Sequence, residues 1–122
     1  MIERIGSKRE LRSAVSEARR EGRTIGFVPT MGALHDGHLS LVRAACERTD
    51  FVVVSVFVNP TQFVAGEDFE HYPRSIDDDI VLLASEDVDT VFTPSEATMY
   101  GPTPQVWVEP GPLGERWEGE AR

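Results

Sequence analysis

A single cysteine, Cys46, among 122 residues excludes an internal disulfide. Basic residues are scarce. Twelve Lys and Arg stand against 21 Asp and Glu, for a net charge of −9 and an isoelectric point near 4.7. That balance excludes a general nucleic-acid binder, which needs a basic footprint. It does not exclude a nucleotide ligand, because a few local donors suffice to hold phosphate. No apolar run approaches the ~20 residues of a membrane span, so no membrane association is expected. The amino terminus, Met1 to Arg12, is polar and charged, unlike a secretory signal. A cytoplasmic location is the resulting expectation. Low-complexity tracts and internal repeats are also missing. What remains is an ordinary globular composition, 40% hydrophobic and 27% charged, long enough for one modest core.

The apolar pattern sets out the elements. Ser7-Lys8-Arg9-Glu10 has the form of a capping box, and Leu11, Val15 and Ala18 follow at helical spacing up to Gly22. Thr24 to Val28 reads as a strand, and Gly37 to about Arg48 as a second helix. Phe51 to Val58 is nearly all apolar and β-branched, without alternation. Such a strand is buried on both faces, as in a parallel sheet covered by helices. Ser75-Ile76-Asp77-Asp78 opens a third helix, and Thr90-Val91-Phe92 is a short third strand stopped by Pro94. Asp77, Asp78 and Asp79 read as a helix N-terminus favoured by the dipole rather than as a metal cluster. After Pro94 the chain becomes Pro-punctuated, with Gln105 to Glu109 as a candidate edge strand. The alternation of helix and strand predicts an α/β fold, a Rossmann-like parallel sheet with flanking helices.

Ligands of such sheets bind beyond the carboxyl ends of the strands. Three polar segments fall there: Met31 to His38, Asn59 to Phe63, and Thr93 to Tyr100. The first two are expected to meet in one crevice. His35 and His38 are three residues apart in a first helical turn, so both can face one ligand. Helix N-termini attract anions through free N–H groups and the macrodipole. Gly32 permits a tight turn, and Gly37 leaves room for close approach. Asn59 and Gln62 offer amide donors and acceptors to a small hydroxylated or carboxylated substrate. On residue types alone, two surface histidines, or a zinc pair without a convincing third ligand, stay open as readings. Cys46 reads as a small core residue.

The histidine pattern after a first strand resembles the HIGH-type nucleotidyltransferase superfamily. The fuller strings Val28-Pro29-Thr30-Met31-Gly32-Ala33-Leu34-His35-Asp36-Gly37-His38 and Ser55-Val56-Phe57-Val58-Asn59-Pro60-Thr61-Gln62-Phe63 are narrower. They closely resemble the pantoate–β-alanine ligase family. Glu67-Asp68, Tyr72-Pro73-Arg74, Val88 to Phe92, Met99-Tyr100, Pro110-Gly111 and Glu118-Gly119 fall in that family's order.

The resemblance implies ATP-dependent activation of pantoate to a pantoyl adenylate, then condensation with β-alanine to pantothenate, with Mg²⁺ accompanying ATP. It implies ATP binding by Met31, Gly32, Ala33, Leu34, His35, Asp36, Gly37 and His38. His38 would be the proton donor, assisted by His35, and Gln62 and Asn59 would serve the pantoate/β-alanine pocket. A homodimer is implied as well. Family members are more than twice as long. Residues 1–122 are therefore expected to be an incomplete amino-terminal ATP/pantoate-binding domain, without the family's later strands, second phosphate loop and lid. Such a piece is expected not to turn over alone. Another nucleotidyltransferase of the superfamily, or a non-catalytic nucleotide-binding or dimerising chain, is the alternative.

Overall fold

A computed structural model describes residues 2–60, 75–101 and 111–112. In chain order it contains β1 (Glu3–Ile5), α1 (Lys8–Arg20), β2 (Ile25–Thr30), α2 (Asp36–Arg48), β3 (Phe51–Val56), α3 (Ile76–Ala84), β4 (Thr90–Phe92) and α4 (Glu96–Tyr100). The strands form one sheet in the order β1-β4-β3-β2, and every pair is parallel. Helical crossovers join the strands, as the alternation requires. The candidate strand from Gln105 to Glu109 lies outside the described residues.

Two elements go beyond the sequence reading. β1 has only Ile5 buried among its three residues, so neither alternation nor an apolar run marks it. It gains its place by pairing Glu3, Arg4 and Ile5 with Thr90, Val91 and Phe92. α4 is five residues long, begun by Ser95, whose side chain accepts the Thr98 N–H. The predicted boundaries also shift. β2 runs on through Pro29 and Thr30, while β3 stops at Val56 instead of Val58. Proline is tolerated in β2 because ladder bonds to β3 use the even-numbered residues, with Thr24 and Thr30 carbonyls accepting from Phe51 and Phe57. Position 29 therefore has its missing N–H on the other side.

β3 explains why Phe51 to Val56 shows no alternation. Val52, Val54 and Val56 face α2 and α3 with Val28, Leu39, Val42, Leu83 and Val91. Val53 faces the other way, with Ile5 and Phe92, under Leu11, Ala14 and Val15 of α1. Both sides of the strand are dry, so both sides are apolar. α1 starts as its capping box predicts, with Ser7 Oγ accepting the Glu10 N–H at 3.2 Å. The amino end of the sheet is tied by polar bonds. Asp50 accepts the Thr24 N–H and hydroxyl at 3.0 and 3.1 Å, and Asp89 accepts the Val52 N–H at 2.8 Å. Those Thr24 bonds hold the Asp50 carboxyl below the usual range.

Leu83 is fully buried where α3 packs on the sheet. Leu83→Ala should lower the free energy of unfolding by about 2–5 kcal/mol, through lost burial and an unfilled cavity. Urea denaturation followed by far-ultraviolet circular dichroism measures it. A loss below about 1 kcal/mol would show that α3 does not pack there.

Candidate functional site

The site grows from the way β2 ends. Gly32 and Ala33 both have positive φ, +84° and +52°. A Cβ at Gly32 would lie 3.0 Å from Asp79 Oδ2 and 3.1 Å from Val56 Cγ1, so glycine meets both the twist and the space. For alanine the left-handed region costs about 1–2 kcal/mol. A compensating pair of bonds comes from α3. Asp79 Oδ2 accepts the Ala33 N–H at 3.0 Å, and Oδ1 accepts the Leu34 N–H at 2.9 Å. Thr30 adds a third tie, accepting the Gly32 N–H at 3.2 Å while its hydroxyl donates to the Ser55 carbonyl at 2.8 Å.

The turn feeds directly into α2, which is capped by the two histidines. His35 is the N-cap, and its Nδ1 accepts the Gly37 N–H at 3.0 Å. His38 reaches back, and its Nδ1 accepts the His35 N–H at 3.2 Å. The arrangement is a capping box built from imidazoles. It fixes the tautomer: with both Nδ1 atoms accepting, the proton of each neutral ring sits on Nε2. The rings lie 4.1 Å apart between centroids, tilted by 47°. Desolvation, and then the like charge of His35, push the His38 pKa below 6.5, against an opposing pull from Asp79.

A cavity of about 600 Å³ opens at the carboxyl ends of β2, β3 and β4. Met31, His38 and Asn59 line it, together with Thr30, Ser55 and Met99. All three carboxyl-end segments thus contribute, including the one after β4. Asn59 Oδ1 accepts the Tyr100 hydroxyl at 2.8 Å, and the Tyr100 ring lies 6.3 Å from that of Phe57. His35 is not on the cavity wall but stacks behind His38. Leu34 turns its side chain into the core. Gln62 lies outside the described residues, as do Arg74, His71, Trp107 and Trp117.

Three of these readings gain detail from the structure. The acidic run opens α3 as expected, with all three aspartates in its first turn, but Asp77 and Asp78 are exposed while Asp79 is 3% exposed and bonded to the turn. A run of three aspartates at a helix start hides which one points inward; the helical position of Asp79 beside Ile76, Ile80 and Leu83 was the available signal. The turn is also less of a backbone anion cradle than its sequence suggests. The amides of Gly32, Ala33, Leu34, His35 and Gly37 all have acceptors within the chain. Finally, Gly37 is needed by a ring of the chain itself, since a Cβ there would lie 2.8 Å from His35 Cε1. Thr30, Asp79 and Tyr100 are the site residues that sequence reasoning did not single out. Cys46 is partly buried against the core and its thiol is pushed up by desolvation, as for a packing residue.

Two predictions follow from this geometry. Gly37→Ala should displace the His35 ring yet leave the melting temperature within a few degrees, because alanine gains about 0.5–1 kcal/mol of helix propensity. Shifted His35 ring resonances with a preserved melt are the expected result; unshifted resonances would remove the stated role of Gly37. The second concerns pH. Because folding lowers the His38 pKa, the unfolded chain binds more protons. The His38 contribution to stability is therefore full above pH 6.5 and is lost as pH falls through the lower folded value. Urea midpoints of the wild-type chain should fall across that window, and His38→Gln should flatten the fall.

The family model for pantoate-beta-alanine ligase matches residues 3–122. A pantothenate synthetase of Rubrobacter xylanophilus is 54% identical over 123 residues, covering 95% of this chain and 42% of that protein. One from Mycobacterium avium is 56% identical over 112 residues, covering 90% of this chain and 36% of the relative. Among solved structures, a pantoate-beta-alanine ligase from Francisella tularensis, complexed with beta-gamma ATP and beta-alanine, superposes with a TM-score of 0.90. It is 40% identical, with 100% of this chain and 47% of that one covered. A pantothenate synthetase from Thermus thermophilus gives a TM-score of 0.79 at 44% identity, covering 98% of this chain and 42% of that one. The chain spans less than half the length of these relatives, and with residues 3–122 matched it belongs to the pantoate–β-alanine ligase family.

Proposed function

We propose that this chain supplies the nucleotide-handling half of an ATP-dependent ligase that joins pantoate to β-alanine. The observation that carries the reading is the imidazole pair. Both Nδ1 atoms are engaged within the turn, which leaves two Nε2–H donors, and His38 stands on the cavity wall. Donors held rigidly in a low-dielectric site stabilise charge as it develops, without reorganising.

In the proposed reaction the pantoate carboxylate attacks the α-phosphorus of ATP. The bond to the bridging oxygen breaks, pyrophosphate leaves, and pantoyl adenylate forms. The amine of β-alanine then attacks the acyl carbon, AMP departs, and the nitrogen loses a proton. The turn from Met31 to His38 borders the nucleotide, with Met31 and His38 on the cavity side and the Leu34 side chain anchored in the core. His38 donates to the phosphate oxygens that gain charge as pyrophosphate leaves, and His35 holds His38 and assists. Asn59, its amide oxygen engaged by Tyr100, shapes the acid and amine pocket with Gln62. Magnesium enters as part of the nucleotide substrate; among the described residues no cluster of three His, Cys, Asp or Glu is placed to hold an ion.

A cytoplasmic location and a homodimer belong to the same proposal. No described helix is long and apolar enough to cross a membrane. Sedimentation equilibrium tests the dimer.

The central test is pantoate-dependent exchange of labelled pyrophosphate into ATP, with Mg²⁺ and without β-alanine. It is run on this chain, and on this chain joined to the remainder of the Rubrobacter relative. Exchange in the joined protein, with little in the 122-residue chain, is expected. His38→Ala in the joined protein should lower exchange by roughly 10²–10³. Near-normal exchange in that variant would sink the role given to His38. Exchange that ignores pantoate but responds to another acid would replace the substrate assignment.

A further inference from the structure

We propose that Asp79 is a positioning residue for the nucleotide-handling turn, its carboxylate holding the left-handed Gly32–Ala33 segment so that His35 and His38 present their Nε2–H groups together. The inference deepens the reading given under Proposed function and rests on it. Asp79 is 3% exposed, although a carboxylate is among the residues least often buried. Among the described residues its burial is matched by bonds to amides: both oxygens accept turn N–H groups, at 3.0 and 2.9 Å. These partners are 46 and 45 residues away in sequence, so the contact joins α3 to the turn across the fold.

The geometry makes the carboxylate more than a filler. Ala33 holds φ +52° without a glycine's freedom. The Ala33 and Leu34 amides have no helical acceptor, being ahead of the N-cap His35. Two residues later the chain must place His35 for its bond to Gly37, and His38 for its bond to His35. A turn that relaxes at Ala33 moves the N-cap, and with it both rings. Asparagine at position 79 has the same shape but one acceptor oxygen, and its NH₂ group would face one of the two amides donor to donor.

The experiment uses nuclear magnetic resonance on the 122-residue chain, with three readouts. In the wild-type chain the Ala33 and Leu34 amides should exchange with solvent at least tenfold more slowly than unbonded loop amides; unprotected amides would overturn the proposal without any variant. In Asp79→Asn, folded as judged by the shifts of β3, exchange at both amides should accelerate at least tenfold. The His35 and His38 ring resonances should move, and the His38 titration midpoint should fall further, since a nearby negative charge is removed. MgATP titration should show dissociation at least tenfold weaker than wild type. Ala33→Gly in the Asp79→Asn background should recover part of that affinity, by easing the positive φ. Unchanged histidine titration and unchanged ATP affinity in folded Asp79→Asn would overturn the proposal. If the wild-type chain shows no MgATP response at residues 31–38, the titration is repeated on the joined protein, where no response sinks the nucleotide reading; the exchange and histidine readouts still decide whether Asp79 positions the rings.

Discussion

A buried carboxylate facing two backbone amides governs the part of this molecule where chemistry is proposed. Removing an ionised group from water is expensive, and an unpartnered one is not kept. Asp79 meets the cost with two charge-assisted bonds, each stronger than a neutral amide–carbonyl bond. The amides meet a matching need, because ahead of the α2 N-cap they have no helical acceptor. Neither side is stable without the other. The pairing also settles where α3 lies against the turn, and α3 in turn buries Leu83 against the sheet. A local turn conformation is thus tied to the core packing of an element that follows β3.

The sheet's two ends divide the work. At the amino end, Asp50, Asp89, Thr24 and Arg23 close on one another, and Arg23 also lies 5.1 Å over the Phe51 ring. At the carboxyl end the polar groups are spread around an open cavity instead, with Asn59 and His38 on different segments. That asymmetry is what parallel strands impose. All four strands finish on the same side, so loops from β2, β3 and β4 converge there. A net charge of −9 does not by itself oppose an anionic ligand at this end, and the carboxylate of Asp79 is engaged by the turn amides.

Much of the fold was legible because its signals are physical and local. An apolar run without alternation in Phe51 to Val56 requires two covered faces, and it has them. Ser7 and Glu10 announce the start of α1 by their hydrogen bonds. β1 was illegible for the opposite reason: Glu3 and Arg4 are exposed, and only pairing with β4 makes the segment a strand. The same contrast runs through the site. The strand-turn-helix context of His35 and His38 is written in consecutive residues. The tether from Asp79 is only half written there: its helical spacing from Leu83 marks it as the inward-facing aspartate, but nothing local names the turn amides it meets. Tyr100 and Asn59 meet across 41 residues, and no spacing rule reports such a contact.

The tether also gives a physical reason for histidines at this turn. Glycine-rich phosphate loops bind anions with backbone N–H groups, which then need no side chains. Here that option is largely closed, since five amides between Gly32 and Gly37 already donate within the chain. An anion at this helix start therefore relies on side-chain donors as well. An imidazole is suited to the task because it has two distinct nitrogens. One can accept from the backbone and fix the ring, while the other carries a proton outward. A lysine would bring charge without that anchoring, and a serine would have to cap and donate through one oxygen close to the backbone, with less reach than an imidazole Nε2. The lowered His38 pKa fits the same logic, since a neutral ring keeps Nδ1 available as an acceptor and the capping box intact. Protonation would turn that acceptor into a donor facing the His35 N–H. The capping geometry and the proposed proton donation therefore depend on one nitrogen each, and the buried carboxylate keeps the two rings where both can operate.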